Sequence, residues 1–353
     1  MHRAISIRRI CYSVVGGGRC QCWQAVGQRK NDMNIVKSFE CMNACITNHM
    51  KQAGIDISGS DIFFFGGGYP ITYKKGSLTH ISSKGYEANF RFLDECGISY
   101  RFGRVYPTKE ALLERLQEPY TVTIRMVSDF LTYDRVFSQT SGASHFINVL
   151  KYSKEKRQFF IVDGDIPSAK TSCFSSWVDE EDIICGWKEQ RGEILQLDLT
   201  AHLQKAEFRK WVRERANKNV RQGLELYLEG KKKVLSGQVT GEKAICCMIQ
   251  QLGKYVERQE FNLLVADANF RLHVNGFLGM KNFLLEKLNE QSSPLIGEYE
   301  SVVNDWLRWC MLLLKSGIVN TAENFYKVTA RMEEIVNRER NVLEKLTGEY
   351  IDE

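Results

Sequence analysis

The residues best equipped for chemistry in this chain are a cysteine, a histidine and a pair of aspartates that stand far apart in sequence. Cys41 lies in the stretch Ser38-Phe39-Glu40-Cys41-Met42-Asn43-Ala44-Cys45-Ile46-Thr47-Asn48-His49-Met50. Met42, Cys45, Ile46, His49, Met50 and Ala53 recur there at the three-four spacing of one helix face, and Gly54 supplies a stop. The pattern predicts a buried helix with Cys41 in its first turn. Unpaired backbone N–H groups at the positive end of the helix dipole would favour a thiolate, so the thiol pKa is expected to fall. The same donors could cradle a developing oxyanion. Cys45, one turn further in, lacks them, which makes Cys41 the preferred nucleophile.

A thiol nucleophile needs a base. His145 sits in the run Ser144-His145-Phe146-Ile147-Asn148-Val149-Leu150, followed by a charged stretch and then Phe159-Phe160-Ile161-Val162-Asp163. The two apolar runs read as a hairpin. A turn centred near Lys154 and Glu155 puts Gly164 opposite His145, with Asp163 and Asp165 on either side. A carboxylate there would fix the imidazole tautomer and stabilise the imidazolium. Asp163 is favoured because it ends the apolar strand directly, and Asp165 stays open as the alternative.

These residues need elements to hold them. Residues 33–199 alternate helical and strand patterns. Ile62-Phe63-Phe64-Phe65 runs into Gly66-Gly67-Gly68-Tyr69, a loop whose backbone can approach a ligand closely. Thr108 is a plausible cap for a helix over residues 109–116, and residues 120–126 alternate like a strand. Residues 200–353 carry three-four periodicity in five or six segments, with Pro294 alone interrupting, and describe a helical bundle. Residues 1–32 are basic and weakly periodic, and read as a disordered or spurious leader.

Together, Cys41 at a helix start, the Phe-Phe-Gly-Gly-Gly-Tyr run at 64–69, the strand and loop over 122–133, His145-Phe146 and the Val162-Asp163 strand end carry a resemblance. They resemble the butirosin biosynthesis H family and, more distantly, papain-like and bacteriocin-processing cysteine peptidases. The resemblance implies an α+β fold with a papain-like cysteine hydrolase/transferase core, followed by an all-α C-terminal helical domain. It further implies an acyltransferase in natural-product biosynthesis that works through an acyl-cysteine intermediate. Cys41, His145 and Asp163 would be catalytic, and Gly67, Gly68, Tyr69, Asp129 and Tyr133 would contact substrate. The acyl group would arrive on the phosphopantetheine of an acyl or peptidyl carrier protein and leave on a small-molecule or peptide amine. The enzyme itself would bind no cofactor. Glu40 departs from the pattern, since the family commonly has histidine before the nucleophile. The oxyanion-hole glutamine of papain-like peptidases has no counterpart upstream.

Composition narrows the class. The 353 residues are 43% hydrophobic and 26% charged, as in ordinary globular proteins. A net charge of +5 and a pI near 8.5 give no sign of nucleic-acid binding. No apolar run is long enough to span a membrane. Eleven irregularly spaced cysteines suggest reduced thiols in a cytoplasm, without knuckle spacing for a metal. Lys205, Arg209, Lys210, Arg213, Arg215, Lys218 and Arg221 form a basic run that could receive an acidic carrier protein, though a solvated helix face explains it as well. A homodimer is left open. Two rival functions share the same residues: a cysteine peptidase or amidase, which differs only in using water as acceptor, and a non-catalytic binding protein.

Overall fold

Burial on every side shapes the helix that carries Cys41. In the computed structural model, which describes residues 35–69, 71–74, 80–82, 85–134, 138, 142–166, 173–199, 205–229, 238–269, 272 and 276–349, α1 (Cys41–Gln52) is buried from Met42 to Met50. The expected leader at 1–32 lies outside the described residues. A helix enclosed in this way must satisfy its polar side chains internally. Asn43 donates to the Gly59 carbonyl (3.1 Å) and to Asn89 Oδ1 (3.1 Å), and accepts from Ser38 Oγ (2.6 Å). Asn48 exchanges hydrogen bonds with the Val36 backbone at 2.9 and 2.8 Å. His49 Nε2 meets Thr123 Oγ1 at 3.0 Å, and burial holds its pKa down at about 3, so the ring is neutral and structural.

On one side of α1 lies an antiparallel sheet of six strands in the order β3-β8-β4-β5-β6-β7. The strands are β3 (Tyr100–Arg104), β4 (Thr123–Val127), β5 (Ser144–Ser153), β6 (Gln158–Asp163), β7 (Phe174–Asp179) and β8 (Glu193–Leu197). Asn148 of β5 donates to the Cys45 carbonyl at 3.0 Å, which fixes the helix on the sheet. The far face packs on α4 (Lys109–Gln117) and α5 (Glu180–Glu189) through Leu112, Ile124, Ile147 and Trp187. Thr108 caps α4 as expected, accepting the Ala111 N–H at 3.2 Å.

On the other side of α1 stand α2 (Gly59–Phe65), α3 (Gly85–Glu95) and the C-terminal helices. The Ile62–Phe65 run is helical because aromatic neighbours enclose it all round. Phe63 stacks on Phe283 at 4.4 Å between ring centroids, and Phe283 also meets Phe39 edge-on at 5.3 Å. Burying each such ring contributes about 2–3 kcal/mol. Asn219 of α6 (Lys205–Glu229) donates to the Phe64 and Phe65 carbonyls that end α2. The remaining helices are α7 (Glu242–Glu257), α8 (Phe261–Asn269), α9 (Phe277–Glu290), α10 (Ile296–Ile318), α11 (Ala322–Ala330) and α12 (Met332–Glu349).

Residues beyond 200 therefore share one hydrophobic core with α1, α2 and α3 instead of forming a layer of their own. A short strand, β9 (Gln238–Thr240), even pairs antiparallel with β1 (Thr72–Lys74), which also pairs with β2 (His80–Ser82). The chain is thus a mixed α and β fold with a C-terminal helical region. Among the described residues no helix is long and apolar enough to cross a membrane.

Candidate functional site

Cys41 opens α1, and the residue before it decides its surroundings. Glu40 is the N-cap: its carboxylate accepts the N–H groups of Met42 (3.1 Å) and Asn43 (2.7 Å) and the side-chain amide of Asn89 in α3 (2.6 Å). A carboxylate is favoured at that end of a helix by the dipole. It also sits 3.7 Å from Cys41 Sγ, within reach of the thiol proton. The expectation of a depressed thiol pKa is corrected here. Burial pushes the Cys41 pKa up, Glu40 pushes it further, and a hydrogen bond from His145 pulls it back only in part. Donors that would have served a thiolate are already taken by Glu40. The Cys41 N–H is the first-turn donor without an acceptor among the described residues.

His145, at the start of β5, is 2% exposed. Its Nε2 meets Asp163 Oδ2 at 2.8 Å, which leaves Nδ1 for the Cys41 thiol, its other hydrogen-bond partner. Burial disfavours the imidazolium, yet the Asp163 carboxylate and Cys41 together outweigh it and hold the His145 pKa well above the ordinary value. Asp163 is 1% exposed and fully engaged. The Tyr133 hydroxyl donates to Oδ2 at 2.8 Å, and the Asp165 N–H donates to Oδ1 at 3.0 Å. The thiol, imidazole and carboxylate thus stand in one hydrogen-bonded line.

Strand register does not by itself choose between Asp163 and Asp165, because the final pairing, carried on, would set Asp165 opposite His145. The strands pair as Tyr152 with Phe159 and Lys151 with Phe160, then slip by one to pair Asn148 with Val162. Ladder pairing stops there, and the Gly164 carbonyl turns away to accept the Ser38 N–H at 2.9 Å. Asp163 is left to reach the imidazole. Asp165 stays half-buried beside the site, where burial, Asp163 and Glu40 drive its pKa up to about 7 against the opposing pull of His145.

The expected substrate contacts fare differently. Tyr133 is near the site but acts on Asp163, and its ring stacks on Phe174 at 4.1 Å. Asp129 is exposed and closes its own loop by accepting the Gly142 N–H at 3.0 Å. The conformation of Gly67, Gly68 and Tyr69 is set by packing. Gly67 adopts a left-handed φ of 75°, and a Cβ on Gly68 would fall 2.5 Å from the Phe63 ring. Tyr69 is fully buried against Tyr227 and Phe64, with its hydroxyl 3.4 Å from that of Tyr299.

Of the basic run on α6, Arg213 reaches Asp61, Arg215 reaches Glu95, Arg221 reaches Glu225 and Lys210 reaches Glu214. Much of that charge is thereby committed within the fold. Sequence reasoning missed Tyr86 and Asn89 of α3. Asn89 holds Glu40, and Tyr86 lies near enough to Glu193, Arg125, Glu40 and Cys41 for their charges to act on its phenol; burial brings that phenol up to about 12. Among the described residues no group of three His, Cys, Asp or Glu side chains could hold a metal ion. In comparisons with known proteins, no family model matches the chain and no curated protein is similar to it.

Proposed function

We propose that this protein is a cysteine-dependent acyltransferase of the papain-like, butirosin H type. It would move an acyl or aminoacyl group from a carrier-protein thioester to an amine. The observation that carries the reading is the line from the Cys41 thiol through His145 to Asp163, closed behind by Tyr133. The Cys41 thiol proton passes to His145 as Sγ attacks the thioester carbonyl carbon, and the oxyanion that develops takes the Cys41 N–H. The carbon–sulfur bond to the donor breaks, and the departing thiolate takes a proton from the His145 imidazolium. In the second half an amine attacks acyl-Cys41, His145 accepts its proton, and the Cys41 thiolate leaves. Asp163 keeps the imidazole oriented through both halves and stabilises it whenever it carries the proton.

The test is intact-mass measurement after incubation with carriers loaded with different acyl groups. Wild-type protein should gain the mass of one acyl group on Cys41, and Cys41→Ala should gain none. Release as an amide supports transfer, whereas release only as the free acid makes the protein a hydrolase. Full transfer by Cys41→Ala would refute the reading.

A further inference from the structure

A groove of about 920 Å³ lies along α3, the helix whose Asn89 holds Glu40 next to the nucleophile, and is lined by Tyr86, Phe90, Phe102, Arg101, Arg104 and Arg115 among others. That volume suits an extended small molecule. α3 is its shared wall: Asn89 turns toward Glu40 beside Cys41, while Tyr86 and Phe90, three positions back and one ahead, face the groove. Tyr86, Phe90 and Phe102 form one aromatic cluster, with ring centroids 5.1, 5.2 and 6.3 Å apart. Tyr86 and Phe102 are 41% and 39% exposed, unusually open for such rings.

Three features define what would fit. The aromatic wall offers apolar contact to a chain lying along it. β3 is the outermost strand of its sheet, so its outer backbone groups have no ladder partner among the described residues and can receive an amide-bearing chain laid alongside. The far part is cationic. Arg101 and Arg104 are 60% and 59% exposed at the side chain, and no acidic side chain lines the groove. Glu118 and Glu193 lie behind, Glu118 pairing with Arg101 and Arg115, and Glu193 with Arg104 at 4.0 Å. Two carboxylates facing three guanidiniums leave the groove positive, so an anion is favoured there.

We propose that this groove is the leaving-group subsite, which takes the phosphate-bearing arm of the acyl donor along β3 and places its phosphate on Arg101 and Arg104. The assignment of the arm as a leaving group rests on the acyltransferase reading. Phosphate binding does not. Such an arm reaches the protein either on a carrier or as coenzyme A.

The closing experiment titrates Cys41→Ala protein calorimetrically with 4′-phosphopantetheine, unphosphorylated pantetheine, coenzyme A and holo-carrier, alongside an acidic extended peptide. The phosphorylated arm should bind about tenfold tighter than pantetheine, as a charge-assisted pair of contacts allows. That advantage should vanish in an Arg101→Gln, Arg104→Gln variant, and Phe102→Ala should weaken both ligands alike. Tighter binding of the holo-carrier or of coenzyme A identifies the bearer, and either result supports the site. Equal binding with and without phosphate, an advantage that survives in the arginine variant, or preference for the peptide overturns it. Acylation of wild-type Cys41 is scored separately: its failure with every donor removes the acyltransferase reading while the phosphate comparison still stands or falls alone.

Discussion

Glu339 in α12 and Asp163 at the end of β6 are each 1% exposed, and each accepts three hydrogen bonds. Glu339 receives Tyr227 Oη (2.9 Å), Trp306 Nε1 (2.9 Å) and Lys281 Nζ (2.5 Å). Asp163 receives His145, Tyr133 and the Asp165 amide. They differ in what lies beyond the cation. Lys281 is boxed in by the rings of Phe277, Trp306 and Tyr227, at 4.8, 4.8 and 5.6 Å, so its charge ends in a closed cage. The second nitrogen of His145 instead meets the Cys41 thiol. The same carboxylate chemistry locks a helix interface in one place and holds an imidazole next to a thiol in the other.

Three substitutions separate these roles. The largest effect is expected from Asp163→Asn, which keeps the shape but removes the charge that sustains the imidazolium. Acylation of Cys41, followed by mass, should slow by about 10³-fold or more while the far-ultraviolet spectrum is unchanged. Lys281→Met should spare acylation and instead cost about 3–5 kcal/mol in urea unfolding, because a buried carboxylate loses its counter-charge. Adding Glu339→Gln, which retains an oxygen for Tyr227 and Trp306, should recover most of that loss.

Smaller changes sharpen the comparison at the nucleophile. Glu40→Gln removes a negative charge that raises the Cys41 pKa, so the thiolate fraction at pH 7 should rise and alkylation by iodoacetamide should quicken by about three- to tenfold. An unchanged rate would mean that Glu40 only caps the helix. The smallest effect belongs to Asp165. Its folded pKa of about 7 lies above the ordinary 3.8, so folding takes up a proton between those values and stability falls as pH rises across that window. Asp165→Asn should therefore raise the melting temperature by about 1–2 °C at pH 8 and leave it unaltered at pH 3.

Periodicity was enough to read α1, the β5–β6 hairpin and the long C-terminal helices, because each buries a face whose repeat is local. It also brought Cys41, His145 and Asp163 forward as partners. The roles of the surrounding residues were less accessible. Glu40 looks like any acid before a helix until its carboxylate is seen spanning Met42, Asn43, Asn89 and Cys41. The Gly66–Tyr69 run suggests a ligand loop, yet its shape is dictated by Phe63, Tyr227 and Tyr299, contacts that no local pattern encodes. The choice of Asp163 was not readable from register either: the pairing of Asn148 with Val162, carried on, would set Asp165 opposite His145, but the ladder ends first and the Gly164 carbonyl turns to Ser38.

The join between α2 and α9 has a consequence for the order of events during synthesis. Ser60 takes its backbone partner from Glu286, 226 residues later, and Phe39, two places before the nucleophile, rests on Phe283. Contacts so distant in the chain form slowly. A growing polypeptide would hold Cys41 on an unsupported helix until α9 had left the ribosome, so any reactivity awaits nearly the whole translation product.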